Sequence, residues 1–257
     1  YIDSQGLQNG FVYNPFSNVW TSLNPLGATT KITGAANDFI VGNTIRNGKE
    51  DGFYYLNGTA NFYSTFFALP EFAQGHSVNG LDQNPVLLMH SVGMDSNFIW
   101  SPFGGTKTHI NYPGHDSILV AKAGNSVFGN YEADGEEHGF VYNTVSQQFI
   151  DLVAPVGADS VTVHSVFGAR KFGSYVDANG VTHGFELNGH YTTLDFPGAT
   201  GTVVQGAEVD TLVGYFWDDV GVQHGFVYTA VLPEPSSYVL MVSALIGLCF
   251  LRKCHVE

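Results

Sequence analysis

The chain has 257 residues, enough to bury a full core either as one repetitive domain or as two ordinary ones. Only 12% of the residues are charged, against 31 Gly, 20 Phe and 13 Tyr, so the surface must be built largely from Asn, Thr, Ser, Gly and Gln. A formal charge of -14 repels a phosphate backbone and argues against nucleic acid as a partner, while the scattered carboxylates read as solubilising charge rather than a calcium cluster.

In chain order, the first feature is the opening at Tyr1, with no initiator Met and no basic, then apolar leader near it, which leads us to expect trimmed or missing upstream sequence. An aromatic tag then recurs: Gly10-Phe11-Val12-Tyr13, Gly52-Phe53-Tyr54-Tyr55, Asn97-Phe98-Ile99-Trp100, Gly139-Phe140-Val141-Tyr142, Gly184-Phe185-Glu186-Leu187 and Gly225-Phe226-Val227-Tyr228. The Phe residues are spaced by 42, 45, 42, 45 and 41, a regularity that marks an internal repeat. Val-Gly or Phe-Gly pairs ending at Gly42, Gly129, Gly173 and Gly214 keep step with the tag. So do the prolines Pro25, Pro70, Pro113, Pro155 and Pro197. The second repeat diverges most, with Val86-Leu87-Leu88-Met89 where the next Gly pair should be.

In the best-preserved repeat, strands are expected over 172–175, 182–187, 191–196 and 203–209, with Asp177-Ala178-Asn179-Gly180 as a hairpin whose Asn and Gly both tolerate positive φ. Residues 1–11 align on 175–185 without a gap, so the chain begins halfway through a unit. No sustained 3.6-residue apolar period appears in the repeat region. The predicted fold is therefore all-β: a β-propeller of four-stranded repeats of about 43 residues, five complete intervals and a partial unit, with the six Phe rings in equivalent buried positions. A β-solenoid or stacked-hairpin array is the competing architecture.

His183-Gly184-Phe185 followed by Tyr191-Thr192-Thr193-Leu194-Asp195-Phe196-Pro197-Gly198-Ala199-Thr200 resembles the HAF-type extracellular repeats of bacterial surface proteins. The resemblance covers about residues 1–230, is closest in the last two repeats and weakest around 60–100. It implies an extracellular repeat domain and supplies no catalytic residues.

After residue 230 the character changes. A linker over 231–237 contains Pro233-Glu234-Pro235, and its two prolines break any strand or helix. The apolar run 238–251 follows, then Arg252-Lys253, which makes 238–257 a short hydrophobic helix with a basic end. As a helix the run spans about 21 Å, short against about 30 Å of bilayer hydrocarbon. The basic pair fits the positive-inside rule with the repeats outside the cytoplasm. Both cysteines, Cys249 and Cys254, lie in this tail, and a thiol-free repeat region suits an oxidising compartment. This order resembles the PEP-CTERM sorting tail. That resemblance implies export in a Gram-negative bacterium, transient inner-membrane anchoring through 238–251, and processing at Pro233-Glu234-Pro235 by an exosortase-type enzyme. It also implies a link to extracellular polysaccharide. The tail departs from the pattern in ending Cys254-His255-Val256-Glu257 after only two clustered basic residues.

Candidate chemistry is sparse. His138, His183 and His224 precede the tag in three repeats, one per unit, and read as structural rather than as joint metal ligands. The rival to a binding module is a five-bladed glycoside hydrolase, whose carboxylates from different units would converge as acid and base or nucleophile. Asp38 and Asp210, with Asn125 and Ala169 equivalent, are the candidates, and they read more simply as turn formers. The sequence thus predicts no enzyme, no catalytic residue, no metal and no cofactor. It predicts a binding or scaffolding module with a polysaccharide or protein ligand at the cell surface or in the matrix.

Overall fold

The computed structural model describes residues 1–14, 17–24, 28–36, 39–46, 49–56, 76–81, 86–91, 96–100 and 107–229. Among them all regular structure is β, in successive antiparallel meanders. The first sheet pairs β1 (Gly10–Asn14) with β2 (Val19–Leu23). The second joins β3 (Thr29–Ala36), β4 (Phe39–Arg46) and β5 (Lys49–Leu56). The third runs β6 (His76–Leu81), β7 (Leu87–Ser91), β8 (Ser96–Trp100), β9 (Lys107–His109). The fourth runs β10 (Ser117–Ala123), β11 (Ser126–Ala133), β12 (Glu136–Asn143), β13 (Gln148–Asp151). The fifth follows with β14 (Ala158–Phe167), β15 (Arg170–Asp177), β16 (Thr182–Asn188), β17 (His190–Thr193), and one parallel bridge from His138 to Val161 links it to the fourth. The last holds β18 (Gly201–Glu208), β19 (Thr211–Trp217) and β20 (Gln223–Thr229).

The repeat of the sequence is a repeat of one cross-strand contact. The tag Phe lies opposite the glycine of the preceding strand in the pairs Gly42–Phe53, Gly129–Phe140, Gly173–Phe185 and Gly214–Phe226, and opposite Met89 at Phe98. A Cβ at Gly42 would lie 2.9 Å from Cζ of Phe53, and one at Gly214 2.8 Å from Cε1 of Phe226. A Cβ at Gly173 would collide with the Thr162 carbonyl oxygen on the other side. Glycine is required because the ring covers one flank of the backbone and the neighbouring strand presses on it. That neighbouring strand carries a β-bulge at the same level in all five sheets that have one: Ile32/Gly34, Val78/Gly80, Leu119/Ala121, Val163/Ser165 and Val204/Gly206. A bulge at this point adds local twist to each small sheet.

The sheets stack in sequence. β6 packs on β3, β4 and β5; β10 on β6, β7 and β8; β14 on β10, β11 and β12; β18 on β14, β15 and β16. The core lies in these junctions. Between the third and fourth sheets, Leu88 and Ile110 meet Leu119, Val127, Phe140 and Tyr142, with Ile99 and Phe149 packed alongside. Asn130 of β11 crosses to the next sheet, where its side chain donates to the Val163 carbonyl (2.8 Å) and accepts from the Val163 N–H (2.9 Å) beside the bulge.

Three expectations need correction. Phe53, Phe98, Phe140 and Phe185 are buried, but Phe226 is half-buried and Phe11 exposed, since among the described residues the sheets that carry them have one packed neighbour. The strand expected over 191–196 ends at Thr193, because Phe196 turns off to stack on the next sheet. In the 177–180 turn only Gly180 has positive φ (79°), since the Asp177 carboxylate holds the loop. Among the described residues, the two-residue turn with two positive φ values is Asp134-Gly135. Pro25 and Pro70 lie outside the described residues, as do Asp38 and everything from 230 onward, including the predicted helix over 238–251. Among the described residues no helix is long and apolar enough to cross a membrane.

Candidate binding rim

In an antiparallel meander the hairpin between the second and third strands and the connection to the next sheet emerge at the same end. At that end of the stack lie recurring Asp turns and aromatic stacks. Three of its hairpins share one design, Asp-x-x-Gly-x. Asp177 Oδ1 accepts from the N–H groups of Asn179 (2.9 Å) and Val181 (2.8 Å), and Gly180 N–H closes on the Asp177 carbonyl. Asp3 does the same with Gln5 and Leu7, and Asp218 with Val220 and Val222. The gapless match of 1–11 to 175–185 is thus a match of hydrogen bonds as well as letters.

The second carboxylate oxygen reaches the residue just before the tag Gly. Asp3 Oδ2 accepts from Asn9 Nδ2 (2.9 Å), Asp218 Oδ2 lies 2.8 Å from His224 Nε2, and Asp177 Oδ2 is 3.6 Å from His183 Nε2. His183 Nδ1 is also 2.8 Å from Asp195 Oδ2 in the connection to the last sheet. These contacts set the charges. The Asn9 side chain and then the Leu7 N–H hold Asp3 below the usual carboxylate range, the Val181 N–H and the Asn179 side chain do so for Asp177, and His224 leads the effect at Asp218. Burial works against a charge on His183, but the Asp195 hydrogen bond and the charges of Asp195 and Asp177 outweigh it and raise its pKa.

Aromatic stacks tie this framework to the neighbouring sheet. Tyr112, in the connection before β10, lies flat on Tyr131 of β11 (3.9 Å, 7°), which faces His138 at 5.4 Å. Phe196 lies on Phe216 (3.8 Å, 3°), which stacks on His224, and Tyr175 stacks on His183. Tyr112 also donates to Asp151 Oδ1 (2.6 Å), and burial together with that bond pushes its hydroxyl far above the usual phenol range. His138, His183 and His224, each just before the tag of its unit, therefore serve one position each. Sequence reasoning missed both the Asp partner six residues upstream of His183 and His224 and the aromatic residue before Pro113 and Pro197; the recurring Asp-x-x-Gly and aromatic-Pro-Gly strings were the available signals.

Chemically the rim is a set of ionised carboxylates engaged by their own turns, imidazoles held by carboxylates or rings, and half-exposed aromatic faces. Among the described residues no group of three or more His, Cys, Asp and Glu is placed to hold a metal. Of the glycosidase candidates, Asp38 is outside the described residues and Asp210 lies at the other end of the sheets. Asp210 follows Val209 (φ 44°) in the β18–β19 turn, where Arg170 donates to the Val209 carbonyl (2.9 Å) while bonding Glu186 at 2.7 and 3.0 Å. Its equivalents Asn125 and Ala169 are turn residues whose carbonyls accept from Thr144 N–H and Lys171 Nζ.

No family model matches the chain, and no curated protein does. Solved structures do resemble it. A prolyl endopeptidase superposes with a TM-score of 0.55 at 12% identity, over 87% of this chain and 37% of its own. The tricorn protease gives 0.55 at 11%, over 85% and 24%. The β-propeller domain of the Trilobed protease from Pyrococcus furiosus, described as having an open velcro topology, gives 0.54 at 6%, over 86% and 72%. This chain thus spans well under half the length of the first two. At such identities the likeness concerns the fold alone, and that fold is the β-propeller type.

Proposed function

We propose that this chain is an exported, non-enzymatic binding or scaffolding module of the bacterial cell surface or extracellular matrix, with polysaccharide as its favoured ligand. The observation that carries the reading is the repeated sheet junction with its rim. Recurring Asp turns and aromatic stacks offer the same polar and aromatic groups several times along one end of a β-propeller-type stack, which suits a ligand that is itself a repeating, hydroxyl-rich polymer. The charge of -14 favours a neutral ligand over a polyanion.

In this reading the sheets are blades of about 43 residues, four-stranded when complete, arranged about an axis as five full intervals and a partial unit. Residues 231–237 link them to a short helix over 238–251, which anchors transiently in the inner membrane with Arg252 and Lys253 on the cytoplasmic side. An exosortase-type enzyme processes the chain near Pro233-Glu234-Pro235. Intact-mass analysis of protein recovered from surface and membrane fractions tests this. Surface protein ending near Pro235 is the expected result, and surface protein still carrying Glu257, or protein found only in the cytoplasm, would overturn it. A glycan panel left unhydrolysed is expected from a binding module. Hydrolysis that Asp38→Ala or Asp210→Ala abolishes would replace it with the glycosidase reading.

A further inference from the structure

Six Asn-Gly pairs stand in the chain, and four of them, beginning at Asn9, Asn79, Asn179 and Asn188, lie among the described residues. In this pair the main chain can attack its own side chain. The nitrogen after the asparagine reaches the side-chain carbonyl carbon by closing a five-membered ring, and glycine has no Cβ to obstruct the closure. Whether the ring closes depends on what holds the two groups. Asn9 is buried, its Nδ2 donating to Asp3 Oδ2 (2.9 Å) and the Leu7 carbonyl (3.0 Å), and Gly10 is paired in β1. Asn79 and Gly80 lie within β6, with Gly80 held opposite Leu88 of β7. The other two pairs stand in exposed turns of the fifth sheet.

Those two turns hold the reacting groups differently. Asn179 belongs to the Asp177 turn: its N–H donates to Asp177 Oδ1 (2.9 Å) and its Nδ2 to Asp177 Oδ2 (3.1 Å). The Gly180 N–H, whose nitrogen would be the nucleophile, donates to the Asp177 carbonyl (2.8 Å). Asn188 instead ends β16, and Gly189 is the apex between Asn188 and its register partner His190. Among the described residues no hydrogen bond engages the Asn188 side chain or the Gly189 N–H. Gly189 has a φ of 77° and open space where a Cβ would stand, and Asn188, Gly189 and His190 are all exposed.

We infer that Asn188-Gly189 is a self-modification site, where deamidation converts the asparagine to a mixture of aspartate and isoaspartate. The Gly189 nitrogen gives its proton to hydroxide and attacks Cγ of Asn188. The new C–N bond closes a succinimide as the bond from Cγ to Nδ2 breaks and ammonia leaves. Water then opens the ring at either carbonyl, which restores the main chain in aspartate or routes it through the side chain in isoaspartate. The product adds one negative charge, and the isoaspartate form lengthens the main chain by one carbon at the apex from which β17 returns. β17 carries Tyr191, whose ring meets Phe185 edge-on (5.1 Å, 70°) and whose hydroxyl donates to the Val153 carbonyl in the connection from the fourth sheet (2.9 Å). The modification therefore loosens the outer strand of the fifth sheet and its tie to the fourth. Because the ring closes within two adjacent residues, the reaction needs no neighbouring sheet and does not depend on where the protein is sorted or what it binds.

Peptide mapping by mass spectrometry of the full chain, incubated at neutral and mildly alkaline pH, reads each Asn-Gly pair separately. In the folded chain, position 188 is expected to show the mass change of an amide becoming an acid, split into two chromatographic products. The conversion should quicken as pH rises, because the nucleophile is the deprotonated nitrogen. Asn179 must first break its turn bonds and should react at least about tenfold more slowly. In urea the two sites should react at similar rates. Asp177→Ala removes the carboxylate that holds the turn and should bring Asn179 towards the rate of Asn188, while Asn188→Gln should abolish the change at 188 alone. Hydrogen exchange of the amides of 190–193 should be faster in the isoaspartate form than in the unmodified chain. An Asn188 that stays intact in the folded chain while it reacts in urea would overturn the inference, as would an Asn179 that reacts as fast as Asn188 when folded. Unchanged exchange across β17 would overturn the effect on the strand.

Discussion

Phe140 and Phe11 carry the same tag in the same place on the same kind of strand, yet one is sealed and the other stands in solvent. The difference lies in their neighbours. The fourth sheet is packed by a sheet on either side, whereas among the described residues the first and the last each pack a neighbouring sheet on one side. The comparison teaches that in this molecule burial belongs to the junction and not to the individual sheet, as expected when each unit is too small to cover its own faces. The rim shows the converse. The Asp turns of the first, fifth and last sheets share the same backbone hydrogen bonds within the turn, because a turn of this kind is satisfied locally and needs no neighbouring sheet.

The largest expected effect separates the two tags directly. Phe140→Ala should cost about 3–5 kcal/mol in urea unfolding, and Phe11→Ala less than about 1 kcal/mol. Equal losses would show that the first sheet is packed as the fourth is.

Acid should find the fifth sheet before the last. His164 occupies the bulge of β14, bonded to Ser174 Oγ at 3.1 Å, and burial depresses its pKa to about 4. The folded state binds this proton less readily than the unfolded state does, so stability is retained above about pH 6.5 and lost as pH falls towards 4, by ~3 kcal/mol at most. The last sheet has Gln205 at the same place, and His164→Gln should flatten the acid limb of the stability profile. An unchanged profile would remove His164 from the account.

Glycine substitutions sharpen the contrast between close contact and conformation. Gly173→Ala drives a Cβ into the Thr162 carbonyl and should cost about 1–3 kcal/mol or more. Gly189→Ala faces open space, and its φ of 77° alone should cost about 1–2 kcal/mol. The smallest effect is expected at His183. Its charge-stabilised form contributes below the ordinary histidine pKa and is lost as pH rises through the elevated folded value. NMR titration should place its midpoint above 6.5, and Asp195→Asn should lower it.

How much of this was legible depended on what kind of constraint each position carries. The Phe tag and its glycine could be read because a ring laid over a backbone admits one residue type at each place. The bulges could not. Thr33, Asn79, Val120, His164 and Gln205 share the bulge position but no chemistry, since the requirement there is on the backbone. The histidines were read as structural, but their carboxylate and aromatic partners emerge only once strands are paired in register. The exposure of Phe11 was illegible for a further reason: the tag specifies a face to be covered and is silent about whether a neighbour covers it.

The central claim is that the repeat region is a surface module that binds a matrix polysaccharide. Its most direct test is the retention of the full chain in isolated extracellular matrix, compared with a form lacking residues 1–230. The account expects the full chain to remain with the matrix and to be displaced by soluble matrix polysaccharide, while the shortened form washes away. Equal retention of the two forms, or retention that no polysaccharide displaces, would contradict it.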